Sequence, residues 1–260
     1  PELVHAVDQG RLSVSAAERL TELPAFEQRK VVASHDPGKT ARAEISRHNR
    51  NERLAEIVEQ SGSASPALDI QKRYPIIYAD PPWRFDVHSR ETGLERSPDR
   101  HYPTMTMEEI CALPVGEIIA DEALLFLWTT VPLLGRMDEV FRAWGRIECV
   151  DPEYGVIRKP WTYVSHYVWD KDKIGLGYWN RNQHELLLIA KIGDVPAPSP
   201  PERMSSVYKE IAGDHSAKPK YFAQLINKHF PDVPKVELFC RGVAADGFDS
   251  WGNQAIARAA

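Results

Sequence analysis

The sequence predicts an α/β fold: an open, largely parallel sheet flanked by helices on both faces, preceded by a small helical region. Short apolar runs of strand type alternate with helix-type segments beyond residue 66. The string Ser61-Gly62-Ser63-Ala64-Ser65-Pro66 has the composition of a flexible linker. The 20 prolines and 15 glycines among 260 residues exceed the needs of a helical bundle and call for substantial loops. With 43% hydrophobic residues the chain can build one full α/β domain and a small appendage. The expected division is therefore 1–65, a helical region plus linker, and 66–260, a single larger domain.

Each element follows from a local pattern. Within 1–34, Val4, Val7, Leu12, Ala16, Ala17, Leu20 and Leu23 recur at near-helical spacing, interrupted by Gly10 and by Ser13, a residue suited to a helix N-cap. Short helices joined by a tight turn are expected, then a charged helix over 40–60. Ile76, Ile77, Tyr78 and Ala79 form a strand, a polar loop follows, and a helix begins near Met107. Leu124 to Trp128 is a buried strand, and the next helix carries Leu134, Met137, Phe141 and Trp144 on one face with Gly145 as its stop. Strands at 163–169 and 186–190, a helix at about 219–229 and a strand at 236–239 complete the pattern. The stripe Trp161, Tyr163, Tyr167, Trp169 alternates as a strand does and is read as core packing.

Composition narrows the function. No apolar stretch approaches the ~20 residues of a membrane span and no charged-then-apolar leader precedes a cleavage site, so a soluble, cytoplasmic protein is expected. The chain begins at Pro1 without an initiator methionine, so missing upstream sequence stays open. Cys111, Cys149 and Cys240 lie far apart among apolar neighbours and are read as small buried hydrophobes. The nine histidines show no zinc-ligand spacing, and no metal is expected. A net charge of −5 leaves nucleic-acid affinity to local fields. Two basic runs exist: Lys39, Arg42, Arg47, His48, Arg50 and Arg53, and the loop cations Arg84, Arg90, Arg96, Arg100 and His101. Glu44, Glu52, Glu91, Glu95 and Asp99 dilute them, so neither run alone separates phosphate binding from a solvated surface.

The sharpest motif is Asp80-Pro81-Pro82-Trp83, immediately after the strand at 76–79. In parallel sheets ligands bind beyond the carboxyl ends of strands. Each proline fixes its own φ and biases its predecessor toward an extended conformation, so the Asp80 carboxylate and the Pro81 carbonyl are preorganised acceptors. Two such acceptors suit an exocyclic amine, for instance N6 of adenine, whose lone pair is delocalised into the ring. Gripping both N–H bonds favours the localised, nucleophilic form, and the carboxylate stabilises charge developing on nitrogen. Trp83 is read as a flat face for the base. The loop 84–102 is long enough for a lid or binding element, with arginines suited to following phosphates.

Asp80-Pro81-Pro82-Trp83 resembles the signature of the MT-A70 family of adenine-N6 methyltransferases. The similarity runs from about Tyr74 to Gln254, through His101-Tyr102-Pro103-Thr104-Met105, Leu125-Phe126-Leu127-Trp128, Gly177-Tyr178-Trp179, Gln183-His184-Glu185-Leu186, His215-Ser216-Ala217-Lys218-Pro219, Val236-Glu237-Leu238-Phe239 and Trp251-Gly252-Asn253-Gln254. Its texture is similar to bacterial and phage members. The resemblance implies a Rossmann-like class I methyltransferase fold in permuted order, S-adenosylmethionine as cofactor and nucleic acid as partner. The absence of a GxGxxG string suits a cofactor without a pyrophosphate.

By the same resemblance, Asp80 borders the cofactor, Phe239 and Arg241 close a strand at it, and Asn253 and Gln254 bond its ribose hydroxyls, a diol that paired amides match. Lys218 is expected to meet the cofactor's carboxylate or a substrate phosphate, and His215 either does likewise or caps a turn. Gln183, His184 and Glu185 stand where some relatives carry a lysine, which leaves that role unassigned.

The string Gly10-Arg11-Leu12-Ser13 with Ala16-Ala17, Leu20 and Gln28 resembles the helix-turn-helix region of ParB-like DNA-binding proteins. A DNA-contacting element and a dimerisation element, hence a homodimer, are both open there. Together these readings favour DNA over RNA as substrate. N4 methylation of cytosine and a non-catalytic nucleic-acid-binding scaffold are the competing functions.

Overall fold

The protein is described from a computed structural model, over residues 2–61, 72–84, 104–175, 179–213, 217–251 and 254–255. Contacts divide the chain into two units, Pro1–Glu56 with Pro196–Met204, and Ile57–Val195 with Ser205–Ala260.

The first unit is helical: α1 (Glu2–Asp8), α2 (Val14–Leu20), α3 (Ala25–Ala33) and the start of α4 (Pro37–Ser61). Gly10 takes φ +69°, a left-handed turn that only glycine enters cheaply, and the Ser13 hydroxyl accepts the Ala16 amide at 3.2 Å to cap α2. Ala6, Leu12, Leu20, Leu23, Val31, Ala41 and Ile45 form its core, whereas Val4 is exposed.

The second unit is built on a sheet of order β10-β8-β1-β2-β6-β5-β7. In chain order its elements are β1 (Tyr74–Ala79), α5 (Met107–Cys111), β2 (Ile119–Thr129), α6 (Met137–Ala143), β3 (Arg146–Asp151), β4 (Gly155–Lys159), β5 (Thr162–Asp170) and β6 (His184–Ile192). There follow β7 (Val207–Lys209), α7 (Lys220–His229), β8 (Lys235–Leu238), β9 (Arg241–Gly242), β10 (Asp249–Trp251) and β11 (Gln254–Ala255). Within the main sheet β6 runs against its neighbours and the other strands run parallel.

Alternation along β1 and β2 sends side chains to both faces. Ile77, Ala79, Leu125 and Leu127 pack with Met107 and Ile110 of α5 and Val140 and Phe141 of α6. On the other face Trp128 meets Phe222 of α7 edge-on at 5.1 Å, and Phe126 meets Phe230 at 6.5 Å. Both faces are therefore covered, which is why β1 and the second half of β2 are buried along their whole length. Pro75 is accommodated inside β1 because the register with β2 shifts between Tyr74 and Ile76. A reciprocal capping box starts α5: the Glu109 amide donates to the Thr106 hydroxyl at 3.1 Å and the Thr106 amide to the Glu109 carboxylate at 2.7 Å.

Several expectations need correction. Leu134 lies in a 3-10 segment before α6 and is exposed, so it does not share the buried face of Met137, Phe141 and Trp144. Gly145 follows α6 with no left-handed φ; a Cβ there would come within 2.6 Å of the Lys159 carbonyl, so glycine is required for close approach to β4. The β3–β4 hairpin had no clear signal in the sequence, and it places Cys149 on an exposed strand rather than in a core. Trp161 and Trp169 are buried, but the register slips between Tyr163 and Ser165 and Tyr163 is exposed. The last expected strand stops at Leu238, because Phe239 takes φ +64°. Among the described residues no helix is long and apolar enough to cross a membrane.

At the sheet edge the buried ammonium of Lys72 pairs with the Asp249 carboxylate, which also accepts the Tyr74 hydroxyl at 2.8 Å. Asp249→Ala takes that partner from a buried cation and is expected to cost about 3 kcal/mol, read as a lower midpoint in urea. Replacing Lys72 by Met in the same variant should recover much of the loss.

Candidate active site

β1 lies at a topological switch: the chain leaves it toward β2 on one side, and β8 pairs on the other. At the carboxyl ends of β1 and β8 a cavity of about 560 Å³ opens, lined by Tyr78, Asp80, Lys218, Gln224, Glu237 and Phe239 and closed by 243–246.

Asp80 is the first residue past β1, and its amide continues the ladder to the Leu238 carbonyl at 3.4 Å. The Pro81 carbonyl accepts the Trp83 amide at 2.9 Å, the Pro82 carbonyl accepts the Met105 amide at 2.8 Å, and the Arg84 amide donates to Met105 at 2.9 Å. The four-residue motif is thus pinned at both ends rather than left as a free loop.

The Asp80 carboxylate is held by Lys218, whose ammonium lies 2.8 Å from Oδ1 and 2.9 Å from Oδ2. The same ammonium is 3.3 Å from Oε2 of Glu185 and 5.4 Å from the centroid of Trp128. Lys171 closes the network at 3.1 Å from Oε1 of Glu185. Burial alone would lower the Lys218 pKa, but Asp80 and Glu185 outweigh it and hold the ammonium above its ordinary value. Burial likewise works against the Glu185 carboxylate, and Lys218 with Lys171 bring it below the usual range. Among the described residues no cation pairs with Glu237. Burial pushes it up, the Ala245 amide at 2.9 Å opposes that, and the charge of Asp80 across the cavity pushes it further up.

Of the residues singled out in the sequence, Asp80, Lys218 and Phe239 meet at this cavity. Phe239 is packed between Trp144 and Trp251, with ring centroids 6.2 and 5.9 Å away. β11 pairs with β9 through Gln254 and Arg241, but the side chains of both, and Asn253 and His215 entirely, lie outside the described residues. Trp83 is not a cavity wall. It is only 6% exposed, sits in the core cluster and donates its indole N–H to the Trp128 carbonyl at 3.1 Å, so its faces are occupied by protein. Arg84 is likewise engaged, its guanidinium donating to the Thr104 hydroxyl at 3.2 Å and carbonyl at 3.3 Å; the loop residues 85–103 lie outside the described residues. Glu185 and Glu237 were not assigned from the sequence. The signal available for each was a charge at one end or the other of an apolar strand, where a core position would otherwise be expected.

A largely parallel sheet with a carboxylate beyond its central strand, and a cavity at the carboxyl end, is the architecture of a Rossmann-like methyltransferase fold, and the comparison with known families supplies the class. The chain belongs to the MT-A70 family, whose model matches residues 74–254. It is 32% identical over 196 residues to the type II methyltransferase M.MunI of a Mycoplasma species, an alignment covering 70% of this chain and 78% of that protein. It is 27% identical over 202 residues to an Arabidopsis thaliana N(6)-adenosine-methyltransferase MT-A70-like protein, and 28% over 198 residues to a probable counterpart from rice. Each of these alignments covers 72% of this chain but 24% of the plant protein.

The charge network has a defined pH range. Glu185, lowered from its ordinary value, contributes stability that is present above the unfolded pKa and lost as pH falls through the folded one. Lys218, raised, contributes stability that is lost as pH climbs through its folded pKa. Glu185 and Lys218 are therefore both charged through the neutral range, with Glu185 setting the acid limb and Lys218 the alkaline one. Lys218→Met should raise the Glu185 pKa and move the acid limb of the stability profile to higher pH, read by urea denaturation across a pH series.

Proposed function

We propose that this chain transfers a methyl group from S-adenosylmethionine to the N6 amine of adenine in nucleic acid, with DNA preferred to RNA. The observation that carries the reading is the Asp80 carboxylate, held beside the cavity next to a pinned Pro81 carbonyl. MT-A70 membership and the names of the plant relatives, N(6)-adenosine-methyltransferases, support adenine as the base. The relative matched along most of its own length is bacterial, and the helical region resembles a DNA-binding element; both support DNA.

The cavity fits this cofactor. Asp80 and Glu237 face one space and repel each other, and a ligand with a fixed positive charge relieves that repulsion. Glu237 would face the cationic parts or hydroxyls of the cofactor, Lys218 and Lys220 its carboxylate, and Phe239 its apolar surface. Asn253 and Gln254 are assigned to its ribose by resemblance. When bound, the sulfonium supplies an electrophilic methyl group.

The remaining work falls to residues of this chain. Ionised Asp80 is acceptor-only, and its two oxygens together offer several lone-pair sites. The Pro81 carbonyl likewise keeps a second lone pair beside the Trp83 amide. These two acceptors would take the two amine hydrogens and orient the nitrogen lone pair, and the carboxylate would stabilise the positive charge that grows on nitrogen. Lys218 holds the carboxylate in place, so little reorganisation is required during the reaction. Trp83 supports the motif from beneath, through its bond to Trp128.

Incubation with labelled cofactor and matched single- and double-stranded DNA and RNA, followed by nucleoside mass spectrometry, tests the reading. N6-methyladenosine or its deoxy form is expected; N4-methylcytosine would identify the competing base, and no labelled nucleoside would refute transfer. Asp80→Ala should lower turnover by about a hundredfold or more, from the loss of ~3 kcal/mol of transition-state stabilisation, while cofactor still binds. Asp80→Asn should fail similarly. A second expectation concerns pH: cofactor affinity should fall as pH drops through the raised pKa of Glu237, because protonation removes the charge that attracts the sulfonium. In calorimetry, Glu237→Gln should flatten that dependence.

A further inference from the structure

The cations of the helical unit fall into two groups. Lys30 and Arg47 reach Glu44 at 2.9 and 2.5 Å, Arg47 also reaches Glu27 at 2.8 Å, and Arg53 pairs with Glu56 at 2.6 Å. Their charge is answered locally. Arg11, Arg19, Arg29, Lys39 and Arg42 are exposed with no carboxylate partner among the described residues, and of these Arg19 on α2 and Arg42 on α4 come together.

Both arginines border one groove of about 640 Å³ within this unit, whose other polar walls are Ser13, Ser15, Ser46 and Asn49. No carboxylate among the described residues lines it. With the Asn49 amide turned so that its oxygen faces Arg19, the guanidinium donates to it at 3.1 Å and the amide nitrogen donates to the Ile45 carbonyl at 3.1 Å. A neutral acceptor thus steadies Arg19 without cancelling its charge, and its remaining N–H groups are available to a ligand. Hydroxyls and an amide beside two uncompensated guanidinium groups match an extended anion with several acceptor oxygens.

We propose that this groove binds the phosphodiester backbone of nucleic acid, as a contact carried by a different unit from the cavity at Asp80. The proposal rests on the reading that the substrate is nucleic acid. A phosphate chain fits better than an acidic peptide because the apolar wall is small, with Ile45 its largest member beside Ala16, Pro196 and Ala197, and has little with which to seat peptide side chains. Contacts of this type position a polymer and carry no sequence information.

The test is fluorescence anisotropy of the full chain with a labelled 20-base-pair duplex over a salt series. The variant R19A/R42A is compared with R53A, which removes a cation already paired with an acid. Loss of two phosphate contacts predicts affinity about tenfold weaker at low salt and a plot of log K against log salt shallower by about two, with cofactor affinity unchanged. R53A should keep the parent slope. Should the alanine variant fail to fold by circular dichroism, R19Q/R42Q keeps side-chain length and removes the same charge. Unchanged duplex affinity and slope in a folded variant would overturn the proposal, as would a groove whose loss affects a polyglutamate peptide but not the duplex. The two readings fail separately. Duplex binding through the groove with no methylated product refutes the enzymatic reading alone; adenine methylation with unchanged affinity in the arginine variant refutes the groove alone.

Discussion

The ammonium of Lys218, held between the carboxylates of Asp80 and Glu185, joins three stretches distant in sequence: the end of β1, the start of β6 and the approach to α7. A buried cation must be paired, and a buried carboxylate must be answered, so each of these residues constrains the other two. Trp128 lies against the same ammonium, donates to the Tyr78 hydroxyl at 2.8 Å and, through its carbonyl, receives Trp83. The Asp80 motif is therefore held by charge on one side and by the packed indoles on the other. Rigidity of this kind is what an acceptor pair needs if it is to stabilise charge only as charge develops.

The sheet accounts for where the carboxylate points. β1 is central and covered on both faces, so its only outlet is its carboxyl end, where Asp80 leaves the ladder. The turn at Phe239, with a φ that β-strands do not use, ends β8 at the same level and opens the cavity wall. Such a conformation in a bulky residue carries strain, and its place beside the cavity agrees with the tendency of strain to collect at functional sites. Glu237, one residue inside β8, becomes the second carboxylate in that space.

Trp83 is buried, against the expectation of a face open to a base. An aromatic residue beside a base-modifying motif is naturally read as a stacking platform. In the folded protein the adjacent prolines turn the chain so that the indole goes inward, and its N–H finds a buried carbonyl. The same proximity to Asp80 that suggested contact with the substrate makes Trp83 a prop for the main chain beneath it.

Elements with strong period or strong punctuation were legible in the sequence: β1 and β2 from continuous apolar runs, α2 from its Ser13 cap, the turn at Gly10, and the position of Asp80 beyond a parallel strand. These are local properties, set by a residue's own conformational preference and its near neighbours. The family resemblance extended that reading to membership of the MT-A70 family, which the family match bears out. What only the tertiary structure decided was pairing. The antiparallel course of β6, the β3–β4 hairpin, the partners of Lys218, the inward turn of Trp83 and the sorting of the α4 cations into paired and unpaired groups all depend on residues far apart in the chain. Charge and hydrogen bonding act over a few ångströms in space, and sequence separation says little about that distance.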